Sequence, residues 1–168
     1  MITPERERLF LELFVGRRAA LQRLCYGFLG SPEEVEDLFQ EIMTNVWNSL
    51  PSFRAESAIH TWVYRIAVNT ALVYRKKIRR GEQLPDLPDA RMGAHQNMEQ
   101  EERLAALRHA IAGLADQDRL IVTLLLEGLS YKEIAEITGL TVNYVGVKIS
   151  RIKLALEQLM TEVAHGAV

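Results

Sequence analysis

Cysteine occurs once in the 168 residues, at Cys25. That excludes an intrachain disulfide and a thiolate zinc cluster. Its neighbours follow an apolar helical pattern, so a buried structural thiol is expected rather than a nucleophile. His60, His95, His109 and His165 are scattered without metal-ligand spacing, so neither a metal nor any other cofactor is expected. The chain lacks a glycine-rich phosphate loop ending in Gly-Lys-Ser/Thr, a His-Glu-x-x-His pair and a Gly-x-Ser-x-Gly elbow. No catalytic residue is therefore assigned, and no enzymatic activity is expected. There is no run of about 18 apolar residues to span a bilayer. The opening Met-Ile-Thr-Pro-Glu-Arg-Glu-Arg has no signal-peptide core. A cytoplasmic location without membrane insertion is the expectation. Alternating strand patterns and hairpin turns are missing as well.

What is present is helical periodicity throughout, with 48% apolar and 25% charged residues, enough for one ordinary domain or two small ones. The net charge of −2 conceals an uneven distribution. Residues 1–80 carry 12 Lys/Arg against 9 Asp/Glu, residues 81–102 carry 1 against 6, and residues 103–168 carry 7 against 7. A basic front is followed by an acidic middle.

The first helix is expected from near Pro4 to Leu29, with Leu9, Leu13, Phe14, Leu21, Leu24 and Phe28 inside and Gly30 as its stop. Ser31-Pro32-Glu33-Glu34 reads as a start: Ser31 caps, Pro32 takes the first turn and Glu34 completes a capping box. The second helix carries Val35, Leu38, Phe39, Ile42, Val46 and Leu50, and Pro51 ends it. Residues 81–97, with two prolines, two glycines and no periodicity, read as a linker. A helix over Met98–Ala112 follows, then one starting near Asp116 with Leu120, Ile121, Leu124 and Leu125 inside, ending at Gly128. Ser130-Tyr131-Lys132-Glu133 is a second capping box, opening a short helix to Thr138 that stops at Gly139. Thr141 caps a final helix with Val142, Val145, Ile149, Ile152, Leu156 and Leu159 on one side. A short helix, a glycine turn and a longer helix match helix-turn-helix spacing, with Ala135 at the close crossing.

Between these halves, Phe53–Arg80 has an unusual composition. After a polar loop (51–57), Ile59, Val63, Ile66, Thr70 and Val73 mark an apolar side. Thr61, Trp62, Arg65, Asn69, Leu72, Lys76 and Arg79 fall in an opposing arc of roughly 100°. Cations neutralise phosphates, rings stack on unpaired bases and an amide can pair with a base edge. The alternative reading is a solvated face whose basic end complements the helix dipole.

Asp37-Leu38-Phe39-Gln40-Glu41, Phe53-Arg54-Ala55-Glu56-Ser57 and Thr61 to Asn69 resemble consecutive motifs of bacterial sigma-70 family factors, most closely the small extracytoplasmic-function (ECF) class. Leu129 to Ala135 looks like the opening of that family's fourth-region helix-turn-helix. The resemblance covers Arg18 to Met160 and implies an all-α chain of two small domains joined by a flexible linker. Residues 1–80 would dock on polymerase and read and melt the minus-ten element; residues 98–168 would read the minus-thirty-five element. It implies docking of Asp37, Gln40 and Glu41 on the β′ clamp helices of core RNA polymerase, with the β flap as a second contact. Single-stranded minus-ten DNA would meet Phe53, Arg54, Ser57, His60, Thr61, Trp62, Arg65 and Asn69, with Arg75, Lys76 and Arg79 holding the backbone. For Phe53 and Trp62 core packing is the competing role, and Tyr64 and Tyr74 are assigned to packing. Duplex minus-thirty-five DNA would meet Ser130, Tyr131, Thr141, Asn143, Tyr144, Lys148, Arg151 and Lys153. Here the chain departs from the common pattern of that family, with Gly146-Val147-Lys148 where many members carry Arg-Ser-Arg.

The resemblance implies a promoter-specificity subunit with an anti-sigma factor as a regulatory partner. The alternative is a sigma-like mimic that sequesters an anti-sigma factor without initiating transcription. A plain helix-turn-helix repressor would leave residues 1–80 unexplained. The acidic residues Asp86, Asp89, Glu99, Glu101 and Glu102 would screen the basic helix in the free protein, within the roughly 8 Å reach of charge at physiological salt.

Overall fold

The computed structural model describes residues 3–29, 31–81 and 98–166. Among these, all regular structure is helical. The helices are α1 (Pro4–Leu29), α2 (Pro32–Ser49), α3 (Ile59–Gly81), α4 (Met98–Ala112), α5 (Asp116–Leu126), α6 (Tyr131–Thr138) and α7 (Val142–Gly166), with a 3-10 turn at Leu50–Ser52. The stop expected at Gly30 and, beyond Gly81, the expected linker with Asp86 and Asp89 lie outside the described residues.

Local chemistry sets most helix ends. Ser130 Oγ accepts from the Glu133 N–H at 3.2 Å while Glu133 Oε2 accepts from the Ser130 N–H at 2.8 Å, a reciprocal capping box. Gly139 ends α6 with φ 77°, a left-handed conformation that glycine adopts without a Cβ penalty. Thr141 Oγ1 caps α7 by accepting from the Tyr144 N–H at 3.2 Å. The start of α2 differs from expectation. Ser31 has extended cap geometry but its side chain makes no capping hydrogen bond. Pro32, whose fixed φ suits the first turn and whose missing N–H leaves one orphan donor fewer, is sufficient there.

Helices α1 to α3 enclose Leu21, Leu24, Phe28, Leu38, Ile42, Val46, Val63 and Ala67. Cys25 is buried among them, and burial pushes its thiol up to about 12. The Arg6 guanidinium lies 4.2 Å from the Trp47 ring centroid and donates to the Trp47 carbonyl, a cation at the C-terminal end of α2. Helices α4 to α7 enclose Leu120, Ile121, Leu124, Ile134, Val145, Ile149 and Ile152, with Ala135 buried.

The two bundles pack directly on each other, α1 against α5 and α4, and α3 against α6. This explains two departures from the sequence reading. Every residue of α5 from Arg119 to Leu124 is buried while Leu125 is only partly so, because α1 covers a second side of the helix. On α3, Thr61, Tyr64, Val68, Ala71 and Arg75 form a second buried row at helical spacing, while Val73, expected inside, is exposed. Tyr64 belongs to this contact: burial first, and then the charge of Glu127 at the end of α5, push its phenol up.

Gly27 permits the close approach of α1 and α5. A Cβ at that position would lie 2.8 Å from Thr123 Oγ1 and 3.0 Å from its Cγ2. A glycine inside a helix costs about 1 kcal/mol relative to alanine, so the residue is favourable only where α5 rests on it. Gly27→Ala should therefore destabilise the packed form, because overpacking costs roughly 1–3 kcal/mol and exceeds the gain in helix propensity. Thr123→Ala in the same chain should recover most of the loss. Thermal unfolding of the wild type, both single variants and the double variant measures the coupling, and additive effects would disprove the contact.

Candidate nucleic-acid interface

The loop before α3 turns sharply at Ala55, whose φ of 57° is left-handed for a residue with a Cβ. Such a residue stores on the order of 1 kcal/mol of strain. Phe53 and Trp62 face each other across the loop, ring centroids 5.0 Å apart at 54°. Both are partly buried, so each packs on the other and keeps some exposed surface. Arg54, Ala55 and Glu56 are exposed and Ser57 is partly so.

Along α3 the expected strand-reading residues divide into two groups. Asn69 and Lys76 are exposed to solvent. Trp62 packs on Phe53, and His60, Arg65, Arg75 and Arg79 meet the second bundle. His60 Nε2 lies 3.1 Å from Glu133 Oε1. Arg65 donates through Nε and Nη2 to the Glu136 carbonyl at 3.2 and 3.0 Å. Arg79 pairs with Asp116 at 2.9 Å. Two residues need correction as strand contacts in this arrangement. Thr61 is 2% exposed and Arg75 is 6% exposed. Arg75 is enclosed between the Phe28 ring, 5.8 Å away, and Asp116, 3.8 Å away. The basic stripe that reads as a nucleic-acid face in the sequence is thus also the face on which the second bundle sits.

Glu133 serves both structures, completing the α6 cap and meeting His60. The Ser130 N–H first, then His60 and the Ser130 hydroxyl, hold its carboxyl below the usual range. Ser130 is consequently engaged in the cap, and Thr141 caps α7 in the same way. Asn143, Tyr144, Arg151 and Lys153 are exposed on α7, as is Tyr131 on α6. Lys148 is drawn away to Asp118 on α5 at 2.6 Å. Gly146 faces the Tyr131 ring, where a Cβ would sit 3.8 Å from two ring carbons. This is ordinary contact, so helix packing does not demand glycine there. Gly146→Ala should raise stability by about 1 kcal/mol, read from a denaturant midpoint at unchanged slope.

On α2, Asp37 and Gln40 are exposed and Glu41 is partly so. Gln40 donates to Glu36 at 3.3 Å, and Lys77 reaches Glu41 at 3.4 Å. Burial, then the charges of Asp37, Glu34 and Glu41, push the Tyr74 phenol up. The acidic patch is therefore larger than the sequence suggested, with Glu34, Glu36 and Tyr74 at its margin. Of the acidic residues expected to screen α3, Glu99 instead pairs with Arg103 at 2.7 Å within α4.

Sequence reasoning missed the residues that hold the bundles together. Arg119, 6% exposed, donates to the Phe28 carbonyl at 2.8 Å and to the carbonyls of Ala112 and Leu114. Arg23 forks onto both oxygens of Glu127 at 2.7 and 2.8 Å. The available signal was an arginine directly before the largely apolar run from Leu120 to Leu126 and a glycine inside α1. Asp116→Asn should release Arg75 and Arg79 and raise affinity for a labelled single-stranded oligonucleotide severalfold, with a steeper salt dependence. Fluorescence anisotropy across a salt series reads both; unchanged affinity and slope would mean these cations do not reach the strand.

Two family profiles match the chain: Sigma-70 region 2 over residues 13–81 and Sigma-70, region 4 over residues 104–156. RNA polymerase sigma-H factor of Pseudomonas aeruginosa is 32% identical, the match covering 82% of this chain and 78% of that protein. ECF RNA polymerase sigma-E factor of Escherichia coli is 36% identical over 74% of this chain and 72% of its own length. Two solved structures share the fold. CnrH in complex with the cytosolic domain of CnrY has a TM-score of 0.70 at 22% identity, covering 92% of this chain and 89% of that one. The sigma factor RpoE in complex with the anti-sigma factor NepR from Bartonella quintana has a TM-score of 0.72 at 21% identity, covering 90% and 96%.

Proposed function

The chain belongs to the sigma-70 family, in its extracytoplasmic-function class, and from that membership we infer that it is a dissociable promoter-specificity subunit of RNA polymerase. The observation that carries this reading is the order of surfaces along one chain. An acidic helix face on α2 precedes an amide-bearing and basic face on α3, and a helix-turn-helix with an exposed α7 follows. We assign core docking to the first bundle through Asp37, Gln40 and Glu41, against the β′ clamp helices, with the β flap as a contact of the second.

The proposed mechanism is binding and strand capture. A paired base cannot stack on a side chain, so reading the minus-ten element requires opening the duplex, at a cost of a few kcal/mol. Stacking returns roughly 1–3 kcal/mol per base. Arg54, Trp62 and Asn69 are the groups available for this in the packed form. His60, Arg65, Arg75 and Arg79 become available once the second bundle moves from α3. Core binding, which presents the two promoter elements at separate places, is the proposed cause of that movement. The second bundle reads the minus-thirty-five element as duplex through α7. Nucleotide transfer belongs to the polymerase, and the chain itself is proposed to have no enzymatic activity.

A cytoplasmic location follows from this role; among the described residues no helix is long and apolar enough to cross a membrane. An anti-sigma factor is the proposed regulatory partner, since both matched structures are complexes of that kind by their descriptions. Run-off transcription with core polymerase and promoters selected from a random library tests the reading. The wild type should give promoter-specific transcripts, and Asn69→Ala combined with Arg54→Ala should reduce them at least tenfold with core binding intact. Core binding without transcripts from any promoter would favour the mimic, and absence of core binding would defeat both readings.

A further inference from the structure

The first two turns of α7 present an unusual surface for a helix expected to enter a major groove. From Val142 to Lys148 the sequence is V-N-Y-V-G-V-K, with one cation and no carboxylate. The structure draws that cation largely out of solvent: the Lys148 side chain is 16% exposed and its ammonium is held by Asp118 at 2.6 Å, 5.7 Å from the Tyr144 ring centroid. Asn143 and Val147, one turn apart, point outward, with Val147 46% exposed and Tyr144 beside them 45% exposed. None of these residues packs on α1 or α3, which meet α4, α5 and α6 instead. The outward side of α7 is therefore open in the packed form.

Base pairs differ in what they display in the major groove. Guanine shows two acceptors and is read by a fork of donors from Arg or Lys. Adenine shows an acceptor and a donor, which match an amide. Thymine shows a C5 methyl group, which matches an aliphatic side chain. In helix-turn-helix proteins the N-terminal residues of the second helix reach the base edges, which here are Asn143, Tyr144 and Val147. Arg151 and Lys153 lie one to two turns further along, where cations commonly contact phosphates and carry no direct base preference.

We propose that Val147 is a specificity-determining residue that reads a thymine methyl group in the upstream promoter element, with Asn143 on a neighbouring adenine. Direct readout at these two positions is A·T-directed. The inference rests on the proposed function, in that it assumes α7 reads duplex promoter DNA.

Replacing thymine by deoxyuridine removes only the methyl group and tests this directly. Promoters selected with the holoenzyme are resynthesised with each upstream thymine changed singly to deoxyuridine. Affinity is then measured for wild-type and Val147→Ala holoenzymes. Burying one methyl contributes ~0.8 kcal/mol, so one deoxyuridine position should weaken wild-type binding about fourfold and leave Val147→Ala binding indifferent to the change. Val147→Arg should shift the selected base at that position towards guanine. Equal wild-type affinity for thymine and deoxyuridine at every position would overturn the proposal, as would a penalty that persists unchanged in Val147→Ala. If the selected promoters give specific transcripts while deoxyuridine has no effect, only this inference fails. If no promoter supports transcription, the underlying functional reading fails with it.

Discussion

The buried guanidinium of Arg119 sets the terms on which the two bundles meet. Two of its acceptors, the carbonyls of Ala112 and Leu114, belong to its own bundle, and one, the Phe28 carbonyl, comes from the other. Burial, and then the neighbouring charge of Arg75, lower its pKa, as expected of a cation withdrawn from water. On separation Arg119 would lose a single acceptor and regain hydration. It therefore fixes the register of the contact without making the contact permanent. Three further ion pairs between the bundles, Arg23 to Glu127, His60 to Glu133 and Arg79 to Asp116, each involve a partly or largely exposed partner. Pairs of this kind contribute about 0–1 kcal/mol each. The main attraction is the apolar crossing of α1 and α5, and that crossing depends on the missing side chain of Gly27.

Arg75, Arg79 and Arg119 surround one carboxylate, Asp116, which pairs directly with the first two. Among the described residues Arg75 Nε and Arg119 Nε are buried without a hydrogen-bond partner. On the proposed function, the cations that help hold the second bundle on α3 would exchange Asp116 for the phosphates of the strand. Each 1.4 kcal/mol by which the packed form is favoured weakens apparent strand affinity about tenfold, so modest changes at this interface have large consequences for binding.

Much of the fold was legible because it is written in local signals. The Ser130–Glu133 box, the Gly139 stop and the Thr141 cap each involve atoms within a few residues of one another. Ser31 shows the limit of such reasoning, because proline at the next position made the side-chain cap unnecessary. The interface between bundles was not legible, and the reason is specific. Arg65, Arg75 and Arg79 have the composition and spacing of a solvated basic face, and nothing local distinguishes a cation facing phosphate from one facing a carbonyl or Asp116. Thr61 failed for a related cause, since the second buried row on α3 exists only because another bundle covers it. Lys148 was expected as a contact of the last helix, and its removal by Asp118, thirty residues away, could not be read from periodicity.

The packed form does not conceal all surfaces equally, and the asymmetry has a direction. The acidic face of α2 and the outward face of α7 are open, whereas on α3 Arg75 is buried and His60, Arg65 and Arg79 are tied to groups of α5 and α6. On the proposed function, the surfaces for core and for duplex DNA are ready before any strand is opened, whereas the strand-holding cations other than Arg54 and Lys76 are engaged elsewhere. Free chain would then have little tendency to bind single strands elsewhere, because capture requires a separation that core docking supplies. The geometry also limits how a regulatory partner could act. It need not cover the whole strand-reading face, part of which already meets the second bundle; stabilising the contact of α1 with α5 would be enough.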